Sequence, residues 1–457
     1  MRAIFKIFKV LELYHPKRLF WFAICLIRYR FNLYAVLAFH AKMSSHAEAL
    51  EVDHRIVTYS ELIKKVRVYR AHFENDLKGI SRVGVMLPNS MELIISLLAL
   101  SLLNKQFFLL SPKLTEVQVT QLVKSNGIEK LIDEGYNLEV NETKDQPINR
   151  RIQLGSVHIL TSGTTGIHKS IGRRFKPLGF VRVFVDLVDK LSLEEVAKCY
   201  IGVPVYHGYG LATMMTGFAL GKKIVTSDGD VVRELQKQSG DQSFLIALVP
   251  TQLCKLLDAK YLFNNNEKVI VGGAPLSQKI LDDFRKTKPN CSFYNLYGTS
   301  ESGVSFLSQI SLDSKVSVNI GKPLKGVDWK LENEELILNT PWSYKEGWIH
   351  TGDCVERMEN GNFKWMGRVD DMIISGGINA FPIELEDVAR CSAHVVDVKA
   401  EAVSDEKFHQ RFRLKVQAPA DFQLAAFQQT LSQRLPPHLI PKEIVLVSKI
   451  DRNEMGK

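Results

Sequence analysis

The sequence predicts an α/β protein: a large N-terminal domain of several layers with a β-rich subdomain, followed by a small α+β domain. Three observations lead there. From Thr58 to about Gly303, strand and helix patterns alternate, the order that builds a largely parallel sheet. From about Val316 the texture changes to short alternating strands, and from Asp370 two helix patterns and three strands make a compact unit. The 457 residues suffice for two or three domains with a large core. The expected divisions are 1–45, 46–369 and 370–457, the first a basic, aromatic-rich helical segment.

Each element has a local reason. Thr58 and Glu61 have capping-box spacing at the start of a helix through Val66 and Tyr69. A strand over Arg82–Leu87, a turn at Pro88-Asn89-Ser90, a buried helix over Met91–Leu103 and a strand over Gln106–Leu110 follow. Further strands are expected at Tyr200–Val205, Lys223–Thr226, Phe244–Val249, Val269–Val271 and Ser292–Leu296. Four of the chain's strands deliver small or polar residues at their carboxyl ends, where ligands of such sheets sit. Short strands at Trp329–Leu331, Glu335–Leu338, Cys354–Met358 and Asn362–Met366 come next, with Asn360-Gly361 as a two-residue hairpin signal. The last unit reads as helices over Ile383–Ala389 and Phe422–Leu435, with strands over Val395–Val403, Arg411–Val416 and Glu443–Val447.

The net charge of +9 is unevenly placed. Residues 1–45 hold eight Lys/Arg and one acid, Glu12, so they carry +7 of it. Basic and aromatic residues together on helices point to peripheral membrane contact rather than nucleic acid. The alternative is a helical pair packed on the main body with a solvated basic face. The run Leu19–Ile27 is too short to span a bilayer. Six scattered cysteines without a C-x-x-C pair suit a reducing compartment and argue against a disulfide framework or zinc site. No cleavable signal is evident. A cytoplasmic protein, peripheral on the inner face of the membrane, is expected.

The stretch that organises the chain is Thr161-Ser162-Gly163-Thr164-Thr165-Gly166-Ile167-His168-Lys169, after an apolar run from Val157. Glycines let a backbone approach an anion, successive N–H groups and hydroxyls can surround phosphate oxygens, and the lysine adds a point charge. It is not a Walker loop, because two residues separate Gly166 from Lys169.

This loop is followed, in order, by Gly272–Pro275, Tyr297–Glu301, Thr351-Gly352-Asp353, Gly367–Gly377 and Gly456-Lys457. That order resembles the adenylate-forming superfamily of acyl-CoA synthetases, peptide-synthetase adenylation domains and luciferases, over roughly Thr58 to Lys457. The resemblance implies an acyl-CoA synthetase-like fold whose small C-terminal domain is mobile. It also implies a reaction in which a carboxylate attacks the α-phosphate of ATP and a thiol then displaces AMP. By that resemblance Thr161–Gly166 and Lys169 would hold the β and γ phosphates. Gly273, Ala274, Pro275 and Tyr297, with Gly298, Thr299 and Ser300, would form the nucleotide wall. Glu301 would hold Mg²⁺, Asp353 the ribose hydroxyls, and Arg368 the ribose or a phosphate. Lys457 would act at the α-phosphate, Asp370 would be the hinge, and Ser375, Gly376 and Gly377 would meet the entering thiol.

Amino-acid-activating relatives carry an aspartate shortly after the position of Tyr206-His207. Here Gly208–Gly217 has no acid, so an ammonium substrate would go unpaired. His207 is expected to orient the carboxylate, and Gly208, Gly210, Leu211, Met214 and Met215 to line an acyl pocket. Small and flexible residues there suggest a medium- to long-chain fatty acid; an aryl acid is the alternative. The thiol is coenzyme A or a carrier-protein phosphopantetheine. A luciferase-type oxygenase, or a family member that binds nucleotide or lipid without turnover, is a further alternative. His168 and Ser170 stand where proline and glycine are usual, and Ser300 where threonine is. Ending at Lys457, where relatives usually continue, places a terminal carboxylate beside the catalytic ammonium and is expected to slow adenylation.

Overall fold

The computed structural model describes residues 2–30, 32–138, 148, 155–161, 169–173, 177–238, 242–312, 318–343, 347–392 and 394–450. A nine-stranded sheet is its centre. Six parallel strands, Ser292–Thr299, Glu267–Gly272, Phe244–Leu248, Lys198–Ile201, Lys223–Thr226 and Glu48–Val52, lie side by side in that order. Antiparallel strands close both edges: Gly303–Gln309 and Lys322–Pro323 on one side, Arg55–Thr58 on the other. Phe244–Leu248 is buried at every position, as a strand covered on both faces must be. A second sheet runs Lys130–Ile132, Arg82–Val85, Gln106–Leu109, Ser156–Thr161 and Lys169–Arg173, with only the last strand antiparallel.

The β-rich region is an antiparallel four-stranded sheet of Asp328–Glu332, Glu335–Asn339, Ile349–Arg357 and Phe363–Arg368. Beyond it, Ile373 to Leu439 form a separate hydrophobic cluster around their own five-stranded sheet. The two helices there are Pro382–Arg390 and Leu424–Arg434.

Local signals act as expected in several places. The helix Tyr59–Asp76 starts on a full capping box: the Thr58 hydroxyl accepts from the Glu61 N–H at 3.2 Å, and Glu61 accepts from the Thr58 N–H at 2.7 Å. Those bonds hold the Glu61 carboxyl below its usual pKa. The helix Met91–Leu100 is buried at every position but Glu92, and it stops before Leu103, where the chain tightens into turns from Leu102 to Ala99 and Leu103 to Leu100.

Other boundaries differ. The strand expected over Tyr200–Val205 is Lys198–Ile201, because the chain beyond Gly202 bonds to a side chain instead of a neighbouring strand. Asn360-Gly361 does not form a two-residue turn. Met358 and Asn362 close a three-residue loop with Gly361 at φ +78°, the longer hairpin connection. A hairpin absent from the sequence expectation, Ile373–Ser375 with Ile378–Ala380, turns on Gly376 (φ +60°) and Gly377 (φ +84°). Both residues are left-handed, as a tight two-residue turn requires.

The N-terminal segment is three helices: Arg2–Val10, Pro16–Tyr29 and Leu33–Met43. The third gives Tyr34 and Leu37 to the main core. Lys6 bridges Asp189 at 3.1 Å and Glu194 at 2.7 Å, tying the first helix to the body. All six cysteines are free thiols. Among the described residues, no helix is long and apolar enough to cross a membrane.

Candidate active site

The carboxyl ends of the central strands converge on one edge, and the chain after Lys198–Ile201 shapes part of it. Asn89, 4% exposed, reaches over from the turn before the helix Met91–Leu100. Its Nδ2 donates to the Val203 carbonyl at 3.0 Å and to Thr226 Oγ1 at 3.1 Å, and its Oδ1 accepts from the Val205 N–H at 2.8 Å. The bridged segment leads to Tyr206 and His207, whose rings lie 4.9 Å apart.

His207 is the N-cap of the helix Gly208–Ala219. The first turn of that helix carries no acid, so its partial positive end suits an anion. Of the expected acyl-pocket residues, Leu211 and Met214 are buried in the main hydrophobic core, and Met215 packs against it half-buried. Gly208 and Gly210 begin the helix, with Gly210 close against the Pro204 backbone. Tyr209 donates to the Ile270 carbonyl at 3.0 Å, and burial pushes its phenol far up.

A second group forms where the nine-stranded sheet meets the four-stranded one. Asp353, buried, stands on Ile349–Arg357 opposite Arg368 in the neighbouring strand. Its Oδ2 accepts from the Tyr297 hydroxyl at 2.7 Å; its Oδ1 accepts from the Trp365 indole at 3.1 Å and from Arg368 Nη1 at 3.3 Å. Arg368 Nη1 also donates to the Thr351 carbonyl at 2.7 Å. A bulge between Cys354 and Val355 brings Trp365 round to Asp353. Burial first, then the adjacent Asp353, pushes the Tyr297 phenol well above its ordinary range. Burial works against the charge of Arg368, but Asp353 outweighs it and raises the guanidinium further. Gly352 sits at φ +69°, and a Cβ there would lie 2.6 Å from Arg368 Nη2, so only glycine leaves the arginine in place.

Next to Tyr297, the strand Ser292–Thr299 runs through Gly298 and Thr299, longer than expected. The turn Ser300-Glu301 is held at its base. Thr299 Oγ1 accepts from the Ser302 N–H at 3.0 Å, and Thr340 donates to the Ser302 carbonyl at 2.8 Å. Glu301 is partly exposed on this turn. Among the described residues no three His, Cys, Asp or Glu side chains are gathered to hold a metal. Mg²⁺ does not need such a cage: it takes one or two carboxylates, waters and substrate phosphates, a donor set that Glu301 fits. Gly273, Ala274 and Pro275 form the turn after Glu267–Gly272, with Pro275 exposed.

Thr161 and Lys169 pair across the open end of the antiparallel hairpin Ser156–Thr161/Lys169–Arg173, so the expected phosphate loop links two strands. Ser162, Gly163, Thr164, Thr165 and Gly166, and Lys457, lie outside the described residues. Asp370 is exposed in the 3₁₀ turn Val369–Asp371, 4.0 Å from Arg368 Nη2. That turn joins the four-stranded sheet to the C-terminal unit. Ser375 is buried, while Gly376 and Gly377 form the exposed hairpin tip.

Asn89 and Trp365 are the members that sequence reasoning missed. Asn89 reads as a turn residue and Trp365 as a strand aromatic; nothing local shows that either bonds across the fold.

A sheet edge that sets a braced turn with Glu301 near a buried carboxylate among aromatic and guanidinium donors has the polar groups to hold a nucleotide. The family model of the AMP-binding enzymes matches residues 37–342, more than half of the chain, and the chain belongs to that family. It is therefore an adenylate-forming enzyme of the AMP-forming acid–thiol ligase class, whose members use ATP, Mg²⁺ and a thiol such as coenzyme A. Similar curated proteins include the 2-succinylbenzoate–CoA ligase of Bacillus licheniformis, 23% identical over 89% of this chain and 94% of that protein. The protein of that name from Bacillus cereus is 25% identical over 90% and 93%. Among solved structures, the o-succinylbenzoate CoA synthetase of Bacillus subtilis with its acyl-adenylate OSB-AMP superposes with a TM-score of 0.81. It is 20% identical, covering 92% of this chain and 96% of that one. The same enzyme with ATP and magnesium gives 0.79 at 20% identity, covering 92% and 97%.

Proposed function

We propose that this chain activates an aryl carboxylic acid of the succinylbenzoate kind and passes the acyl group to coenzyme A. One observation carries the choice of acid: relatives with that activity in their names match 89% and 90% of the chain. The fatty acid expected from sequence gives way to the alternative. Leu211 and Met214, expected in the acyl pocket, belong to the main hydrophobic core.

In this reading the substrate carboxylate lies at the N-terminus of Gly208–Ala219, oriented by His207. Its oxygen attacks the α-phosphorus of ATP as the bond to pyrophosphate breaks, with Lys457 stabilising the charge that develops. Glu301, with the phosphates, would hold Mg²⁺, which would supply charge neutralisation. The loop Thr161–Lys169 grips the β and γ phosphates, and Gly273, Ala274 and Pro275 face the base. The thiolate then attacks the acyl carbon and AMP leaves, with Asp370 as the hinge and Ser375–Gly377 near the entering thiol.

Asp353 receives the ribose hydroxyls. A carboxylate has about four acceptor positions, and three donors already occupy it. Receiving two hydroxyls therefore requires one donor to withdraw, and the partly exposed Arg368 is the one with somewhere to go. Trp365 then fixes the carboxylate from behind. Trp365→Phe is expected to raise the KM for ATP about three- to tenfold, the worth of one modest hydrogen bond, with kcat little changed. It should also narrow the preference for ATP over 3′-deoxy-ATP. An unchanged preference would make Trp365 a packing residue only.

The direct test is ATP–pyrophosphate exchange with 2-succinylbenzoate, simple aryl acids and medium- and long-chain fatty acids. Exchange should be strongest with an aryl acid and fall by about a hundredfold or more in Lys457→Ala, as for the loss of one transition-state donor. Strongest exchange with a fatty acid would overturn the aryl reading. ATP binding without exchange on any acid would favour a member that binds nucleotide without turnover.

A further inference from the structure

The exposed large apolar side chains of this protein are not evenly spread. Six of the seventeen among the described residues, Phe5, Phe8, Tyr14, Leu19, Phe20 and Ile27, fall within the first two helices and their link. On Pro16–Tyr29, Phe20, Ala23 and Ile27 recur at helical spacing and share one exposed face, with Leu19 beside them. The other face carries Trp21, Phe22 and Cys25 into a small cluster with Leu11, Leu13 and Phe39. The helix is thus apolar on two sides, one packed on the protein and one outward. Ile27 is 82% and Phe20 60% exposed. An exposed apolar stripe of this kind along a helix of a folded protein marks a surface that something covers.

Charge selects the occupant. Lys9, Lys17, Arg28 and Arg30 are exposed on the same two helices and just past the second. Glu12, the sole acid of residues 1–45, is already bridged by Arg18 at 3.2 Å. A second copy of the chain would set two such basic faces against each other, which is repulsive. Nucleic acid would meet the cations but leave the aliphatic Leu19 and Ile27 without a role. An anionic bilayer satisfies both: apolar side chains enter the headgroup–acyl boundary while Lys and Arg remain among lipid phosphates. We infer that the outer face of the helix Pro16–Tyr29, with the cations that flank it, docks the protein on an anionic lipid surface. The helix lies on the membrane rather than crossing it, since no described helix is long and apolar enough to span one.

Sedimentation of the full chain with vesicles of phosphatidylcholine, alone or mixed with phosphatidylserine, tests this. Binding should be about tenfold or more stronger to the mixed vesicles and weaken at high salt, as screened charge requires. Phe20→Asp/Ile27→Asp should lose binding about tenfold on both compositions, whereas Lys17→Glu/Arg30→Glu should lose only the preference for phosphatidylserine. All variants should retain ATP–pyrophosphate exchange, which shows that they fold. The inference fails if the wild type does not sediment with mixed vesicles, or if Phe20→Asp/Ile27→Asp binds as well as it does. It fails equally if the wild type is a dimer in solution that Ile27→Asp splits, for the face would then cover itself.

Discussion

Changing Asp353 to asparagine is expected to leave the protein folded while raising the KM for ATP about ten- to a hundredfold. That range corresponds to the ~1.5–3 kcal/mol of a hydrogen bond to a charged acceptor. The amide keeps one oxygen for the Trp365 indole, and its nitrogen can donate to the Tyr297 hydroxyl oxygen, so only the Tyr297 proton must turn elsewhere, and the Thr351 side chain lies beside it. What it loses is charge, and with it the capacity to accept from ribose. Asp353→Ala differs because it orphans the Tyr297 hydroxyl and the Trp365 indole in a buried place. Arg368 is about a third exposed and can turn to water, so its share is small. The alanine variant should therefore lose ~2–6 kcal/mol in urea unfolding as well as measurable ATP binding, from two unpaired donors at ~1–3 kcal/mol each. An asparagine variant with the wild-type KM would show that the carboxylate serves the internal network and not the nucleotide.

That network shows where reading a sequence reaches and where it stops. Asp353, Tyr297 and Arg368 were each legible because their neighbours, Thr351-Gly352, Gly298-Thr299 and Gly367, form short motifs with a strict order. Their meeting at one carboxylate follows from strand register, a property of the four-stranded sheet and not of any one segment. Trp365 illustrates the gap: only the bulge after Cys354 brings its indole to Asp353, and a bulge leaves no mark in hydrophobic periodicity. Met214 marks a second limit. A flexible apolar residue after a strand end suits an acyl pocket and a core equally, and its place in the core cluster comes from the packing of the helix on the sheet, not from its own segment. The capping box at Thr58–Glu61 needed nothing beyond its own four residues, and it formed as expected.

Asn89 supplies the other large effect, because one side chain replaces a missing stretch of sheet. Beyond Gly202 the chain has no strand partner, yet Val203 and Val205 are buried and their backbone groups must be paired. The carboxamide does this across more than a hundred residues of sequence, donating to one carbonyl and accepting from one N–H. Asn89→Ala should cost ~2–4 kcal/mol in urea unfolding, the penalty for two buried groups left open, less whatever an entering water recovers. Asn89→Asp should be no better, since it presents an acceptor to the Val203 carbonyl and buries a charge. Thr226 keeps its bond to the Ile201 carbonyl at 2.8 Å, so the strand itself survives and the loosening is confined to the segment before His207. Exchange kinetics should then separate the substrates: the KM for the carboxylic acid rises several-fold, and the KM for ATP, bound near Asp353, stays close to wild type. Equal rises in both would mean that the damage spreads through the sheet, and Asn89 would be a stability residue without a part in placing His207.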